Sequence, residues 1–173
     1  MEELEVDKIP NVPHPRINKK IYGQNSAKNS FLKSLQSEKL HHAWLIHGPK
    51  GVGKATLAWK IAKLLQNGFT NFDKVEEENQ LSLISKRIEA LSEQSIFLCR
   101  RQFDKSKKKF LKEISVDEIR KINHFFSLSS TKAKYRIVII DNINELSISA
   151  SNALLKILEE PPSNGIFILI SEN

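Results

Sequence analysis

The chain alternates short apolar runs with longer segments whose apolar positions recur every three or four residues. The turn Tyr22-Gly23-Gln24-Asn25 leads into a segment with Ala27, Phe31, Leu32 and Leu35 on one face, which predicts a helix over about 25–38. His42 to His47 is apolar, short and followed by glycine, which predicts a strand at 43–47. Leu57, Ala58, Ile61, Ala62, Leu64 and Leu65 then repeat at helical spacing, a helix over 54–66 that Gly68 ends. Asp73 to Gln80 is acidic and polar and reads as a loop, whereas Leu81, Ile84, Ile88 and Leu91 mark a helix. Ser95 to Leu98 reads as a short strand. Ser115-Val116-Asp117-Glu118 opens a helix with a serine cap and acids in its first turn, and Ile119, Ile122, Phe125 and Phe126 form its apolar face. Tyr135 to Ile140 is continuous and β-branched, the pattern of a strand buried on both faces. Ser147 or Ser149 caps a helix through Glu160 that carries Leu154, Leu155, Ile157 and Leu158, and Pro161-Pro162 stops it. Gly165 to Ile170 is a last strand. Strands alternating with helices predict an α/β fold with a parallel sheet flanked by helices.

Composition narrows this picture. At 173 residues the chain is about one domain with room for a real core. Its net charge of +7 points to a polyanion or an acidic protein surface as partner, with a generally basic protein as the plain alternative. A single cysteine, Cys99, excludes an internal disulfide framework and a cysteine-based zinc site; it reads as a small buried strand residue. Met1 to Asp7 is acidic, unlike a signal peptide, and no apolar run reaches membrane-spanning length, so a reducing, cytoplasmic setting without membrane is expected. Pro10, Pro13, Pro15 and the basic Arg16, Lys19 and Lys20 make residues 1–20 an extended arm. Arg100 to Lys109 is basic with one aromatic, Phe103; it reads as a phosphate-contacting loop or, more simply, as a solvated hairpin or turn.

The chemistry concentrates at Gly48-Pro49-Lys50-Gly51-Val52-Gly53-Lys54-Ala55-Thr56. A glycine-rich turn between strand and helix aims backbone N–H groups at one point, and the helix N-terminus adds about half a positive charge there. Gly51 and Gly53 allow the backbone angles and close approach, and Lys54 is placed to reach outer phosphates. The Ser/Thr that should follow the lysine and hold Mg²⁺ is Ala55, and Thr56 is turned roughly 100° away by one helical step. Asp141, after the 136–140 strand, is the candidate acid that holds Mg²⁺ through water. The next position, where a carboxylate would polarise the attacking water, is Asn142, which orients water but takes no proton. Glu145 lies further on and reads as a surface acid.

These residues carry a resemblance. The run from His41 to Ala58 and the string Ser151-Asn152-Ala153-Leu154-Leu155-Lys156-Ile157-Leu158-Glu159-Glu160-Pro161-Pro162 closely resemble the delta-prime subunits of bacterial DNA polymerase III clamp loaders, members of the AAA+ family. Tyr22-Gly23-Gln24 resembles the adenine-side element of that family, and Ser115 to Arg120 matches the helix before its Asp-bearing strand. The resemblance implies a P-loop AAA+ core over residues 21–173, behind the 1–20 arm and truncated before the last core strand, with the lid and collar domains absent. With that strand missing, the strand carrying the phosphate loop becomes a sheet edge, since the family's spatial order is 5-1-4-3-2. The expectation is a fragment prone to associate, which monomeric sedimentation and a cooperative melt would count against.

The resemblance also implies a scaffold subunit of the DNA polymerase III holoenzyme, a nucleotidyltransferase assembly that loads the sliding clamp on primed DNA. Its partners would be the motor and delta subunits, the clamp and DNA. Nucleotide binding through Tyr22, Gly23 and residues 48–56 is expected to be weak, Mg²⁺ is disfavoured, and no zinc is expected because only Cys99 is present. Losing one transition-state group often costs about a hundredfold, so with two lost no ATP hydrolysis is expected. Two alternatives stand beside this reading: an active ATPase motor subunit of the same fold, and a stand-alone nucleic-acid-binding module using residues 100–112 and the arm.

Overall fold

The computed structural model describes residues 5–6, 8–37, 39–77, 82–128 and 133–172. Met1, Asp7, Gln80, Leu81 and Asn173, which entered the sequence expectations, lie outside them. In chain order the elements are α1 (Asn25–Gln36), β1 (Ala43–His47), α2 (Lys54–Asn67), α3 (Phe72–Glu76), α4 (Leu83–Glu89), β2 (Ile96–Cys99), β3 (Phe103–Asp104), β4 (Lys109–Phe110), α5 (Val116–Ser127), β5 (Arg136–Ile140), a 3₁₀ turn (Ile143–Glu145), α6 (Ile148–Glu159) and β6 (Gly165–Ser171). The main sheet has the order β1-β6-β5-β2 and all its pairings are parallel. The expected α/β class is therefore correct, and β1 is an edge strand with Leu45 56% exposed.

Strand periodicity splits the core in two. Ile137 and Ile139 of β5, with Ile166, Ile168 and Ile170 of β6, face a layer built on Phe31 of α1, Leu57, Ile61 and Leu64 of α2, and Ile88 of α4. Val138, Ile140, Phe167 and Leu169 face the opposite way, onto Ile119, Ile122 and Phe125 of α5 and Leu154 and Ile157 of α6. Alternate side chains of a strand point to opposite faces, so both faces of β5 and β6 must be apolar to be covered. All five residues of β5 are buried, as expected. Each fully buried Ile, Val or Phe side chain contributes on the order of 1.5–3 kcal/mol.

Several local expectations need correction. Residues 72–76 form a helix that overlaps the 73–80 stretch expected to be a loop. The Asn71 side chain accepts the Lys74 N–H at 3.0 Å, and Phe72 and Val75, one turn apart, are buried in the core. Ala27 is exposed rather than on the buried face of α1. Ser115 stands at the N-cap of α5, but its hydroxyl makes no cap hydrogen bond; its carbonyl accepts the Glu118 N–H instead. Ser147 is the cap of α6, accepting the Ala150 N–H at 3.2 Å. Gly68 does end α2, with φ 68° and with Gly68 and Phe69 donating back to Leu65 and Leu64. Lys54, Lys60 and Lys63 of α2 are buried together with its apolar face. Lys63 is paired with Glu89 at 2.6 Å and Lys60 donates to the Lys19 carbonyl. Cys99 is fully buried at the end of β2, where burial pushes its thiol up to about 12.

Candidate functional site

Parallel strands present their carboxyl ends to one side of a sheet, and that side carries a cleft of about 560 Å³. Its floor is the turn from β1 into α2. Gly51 and Gly53 hold φ of 84° and 91°, a region open to glycine. A Cβ on Gly53 would also sit 3.3 Å from Gln24 Nε2, which donates to the Val52 carbonyl at 2.5 Å. The 22–24 turn thus braces the loop from outside. Lys54 is buried at the first position of α2, and its Nζ donates to the Gly48 and Pro49 carbonyls at 2.7 Å each. The loop curls around its own ammonium group.

The opposite wall comes from the end of β5. Asp141 lines the cleft and its backbone N–H donates to the Cys99 carbonyl at 3.1 Å. Asn142 lines it too, but its Oδ1 accepts the Asn144 N–H at 3.0 Å and caps the 3₁₀ turn. Glu145, expected as a surface acid, stands on the cleft wall with its carboxylate 2.7 Å from Arg101 Nε. That contact is an ion pair by distance and lies off the hydrogen-bond direction. Ala55 lines the cleft and packs partly against the core layer beneath α2, and Thr56 is buried next to it. Of the expected site residues, Tyr22, residues 50–56 and Asp141 line the cleft; Gly23, Gly48 and Pro49 do not. Gly48 and Pro49 act through their carbonyls on Lys54, and Gly23 forms the turn before α1 with φ 69°.

The remaining wall escaped the sequence reading. Val6, Ile9, Val12, Pro13 and His14 of the arm close the cleft. The arm is fastened by Glu5, whose carboxylate meets Arg16 Nη1 at 2.7 Å, His14 Nε2 at 3.4 Å and Arg100 Nη2 at 3.7 Å. The Arg16 backbone N–H lies 3.2 Å from His14 Nδ1. Arg16 Nε donates to the Glu89 carbonyl at 2.7 Å. Burial alone would push the Glu5 carboxyl up; the Arg16 hydrogen bond and the charges of Arg16, Arg100 and His14 outweigh it and hold the group below its ordinary value. No local periodicity marks these residues. Among the described residues no three His, Cys, Asp or Glu side chains cluster as a metal site. Nor is any described helix long and apolar enough to cross a membrane.

The class defined by fold and cleft is an α/β domain with a glycine-rich strand–helix turn at the carboxyl ends of a parallel sheet. Comparison with known proteins takes this further. The family model described as "DNA polymerase III, delta subunit" matches residues 23–173, and the chain belongs to that family. It is 32% identical over 157 residues to DNA polymerase III subunit gamma of Buchnera aphidicola subsp. Acyrthosiphon pisum, covering 90% of this chain and 40% of that relative. It is 33% identical over 149 residues to subunit tau of Bacillus subtilis, covering 86% and 24%. It is 34% identical over 141 residues to subunit delta' of Buchnera aphidicola subsp. Schizaphis graminum, covering 80% and 39%. The chain is thus homologous to gamma, tau and delta' subunits at similar identity, and it spans two fifths or less of the length of these relatives.

Proposed function

We propose that this chain acts in DNA replication as part of a clamp-loader subunit of DNA polymerase III, in the delta-prime manner: it keeps a phosphate cradle and hydrolyses no ATP. The observation that carries the proposal is the pairing of an intact Gly51–Gly53–Lys54 turn with Ala55 and Asn142 on the same cleft. A buried ammonium among glycine backbone at a helix N-terminus fits a phosphate group. The donor set does not fit a directly ligated Mg²⁺. Ala55 offers no oxygen and Asn142 Oδ1 is engaged in a cap; of the carboxylates lining the cleft, Glu145 is paired with Arg101 at 2.7 Å, and Asp141 and Glu172 are the others. Mg²⁺ prefers near-octahedral oxygen ligation from carboxylate, phosphate and water. A bound nucleotide would place its phosphates at the Lys54 turn and its base towards Tyr22, with Asp141 and Asn142 contributing water orientation and no proton transfer.

The second reading, an active motor subunit, is favoured by the comparable identity to gamma and tau subunits. One measurement separates the two. Full-length chain is incubated with ATP, with and without Mg²⁺, and phosphate release is followed alongside co-elution with the other loader subunits. The scaffold reading expects co-elution and no release above background. Mg²⁺-dependent release that Lys54→Ala abolishes establishes the motor instead, and failure to co-elute removes the chain from the loader.

A further inference from the structure

The basic run between β2 and α5 is a built hairpin. β3 and β4 pair antiparallel, Phe103 opposite Phe110 and Asp104 opposite Lys109. The two rings meet edge to face at 5.2 Å, giving this two-stranded ribbon an apolar clasp. Asp104 Oδ1 closes the turn by accepting the Ser106 N–H at 2.9 Å, the Ser106 hydroxyl at 2.6 Å and the Lys107 N–H at 3.1 Å. Lys108 takes φ 48°, a left-handed position where glycine is the low-cost residue, yet a lysine stands there. Residues 100–112 hold seven cations against one carboxylate. Arg100 and Arg101 are turned to Glu5 and Glu145, and Lys105, Lys107, Lys108, Lys109 and Lys112 are exposed.

We infer that this hairpin is a nucleic-acid contact that grips the phosphodiester backbone without reading sequence. The magnitudes choose the partner. An exposed lysine paired with a protein carboxylate is worth about 0–1 kcal/mol, and protein interfaces draw their affinity from buried aromatic or arginine anchors. The hairpin's aromatic rings are spent on each other, and its tip offers mainly exposed lysines, of which Lys107 also stands 3.7 Å from Asp104. Such a tip gains little from an acidic protein. Against a phosphodiester chain each lysine releases condensed counterions, roughly 0.9 of a counterion per phosphate neutralised on duplex DNA. The choice of DNA as the polyanion rests on the replication role proposed above; the hairpin itself lies outside the nucleotide cleft, except that Arg101 at its base lines both.

The test is duplex and primed-template DNA binding by full-length chain, read by fluorescence anisotropy across a salt series. Lys107→Glu/Lys108→Glu/Lys109→Glu is compared with Lys33→Glu/Lys39→Glu/Lys86→Glu, which changes net charge equally on exposed lysines elsewhere. Lys107→Gln/Lys108→Gln/Lys109→Gln guards against effects of added negative charge, and thermal melts verify that each variant folds. The expected result is at least about a tenfold loss of affinity in the hairpin variants and a log–log salt slope shallower by roughly 3, with the control close to wild type. Equal loss in hairpin and control variants, unchanged binding in the hairpin variants, or no wild-type binding at low salt each overturns the inference. Co-elution with loader subunits is scored separately, so a failed hairpin and a failed loader assignment give different results.

Discussion

The two halves of the cleft are built by different means. The loop half depends on backbone: two glycine φ angles, a strand on one side, a helix on the other, and a lysine held by two carbonyls. The proposed metal corner, between the start of α2 and the end of β5, depends instead on side-chain identity at two positions, and both hold residues that suit the fold. Ala55 is the best helix former at the start of α2, and Asn142 supplies the cap of the 3₁₀ turn. On the function proposed above, a phosphate-binding frame would be kept while the metal chemistry is lost. The frame lies in the strand–turn–helix unit, whereas metal chemistry would rest on side chains at two replaceable positions.

The sharpest way to break this contrast is at Lys54. Lys54→Ala is expected to weaken fluorescent-ADP binding by about 30- to 150-fold, the value of a hydrogen bond to a charged group at roughly 2–3 kcal/mol. Removing Mg²⁺ with EDTA is expected to change wild-type affinity by less than about threefold. A large Mg²⁺ effect would place a metal in the cleft and end the distinction between its halves.

The arm wall is the next largest effect. Glu5→Gln leaves the Arg16 and Arg100 charges facing a neutral amide, and amides 8–17 should exchange with deuterium about tenfold or more faster, in line with losing a charged hydrogen bond. Acid should do the same to wild type. The folded Glu5 carboxyl lies below its ordinary value of 4.5, so its stabilisation is complete above that pH and is lost as pH falls through the folded value. Arm protection that is flat from pH 6 to pH 3 would show that Glu5 is not the fastener.

Restoring the missing groups is expected to act more gently. Ala55→Ser with Asn142→Glu should introduce a several-fold Mg²⁺ dependence of nucleotide affinity, at the expense of the Asn142 cap, about 1 kcal/mol. An unchanged Mg²⁺ response would mean that the corner around Asp141 is closed to a metal for reasons other than these two residues. The smallest signal concerns that corner's rigidity. Cys99, whose carbonyl holds the Asp141 N–H and whose thiol burial pushes up to about 12, should resist iodoacetamide at pH 8 until the chain unfolds. Prompt labelling of the folded chain would reveal an opening strand end.

Much of this was legible without coordinates, for a local reason. β5 and β6 announce themselves because a strand covered on both faces has to be apolar at every position. The loop was legible because its glycines and lysine act within nine consecutive residues. What remained hidden was made by distant pairings. The helix at 72–76 was masked by acidic composition, although Asn71 with Phe72 and Val75 carried its cap and its buried face. Lys60 and Lys63 of α2 are buried because the arm and α4 supply their partners. Glu145 looked like a surface acid until Arg101, from the base of the hairpin, met it.

The amino-acid sequence by itself determined the α/β alternation, the strand–loop–helix turn, the absence of a hydroxyl at Ala55 and of a carboxylate at Asn142, because these are matters of periodicity and residue identity. Only the tertiary structure decided that the N-terminal arm is a wall of the cleft and that Glu5 gathers His14, Arg16 and Arg100 around one carboxylate. Contacts between residues up to 95 positions apart leave no local pattern. They exist because packing brings a buried charge to partners that satisfy it.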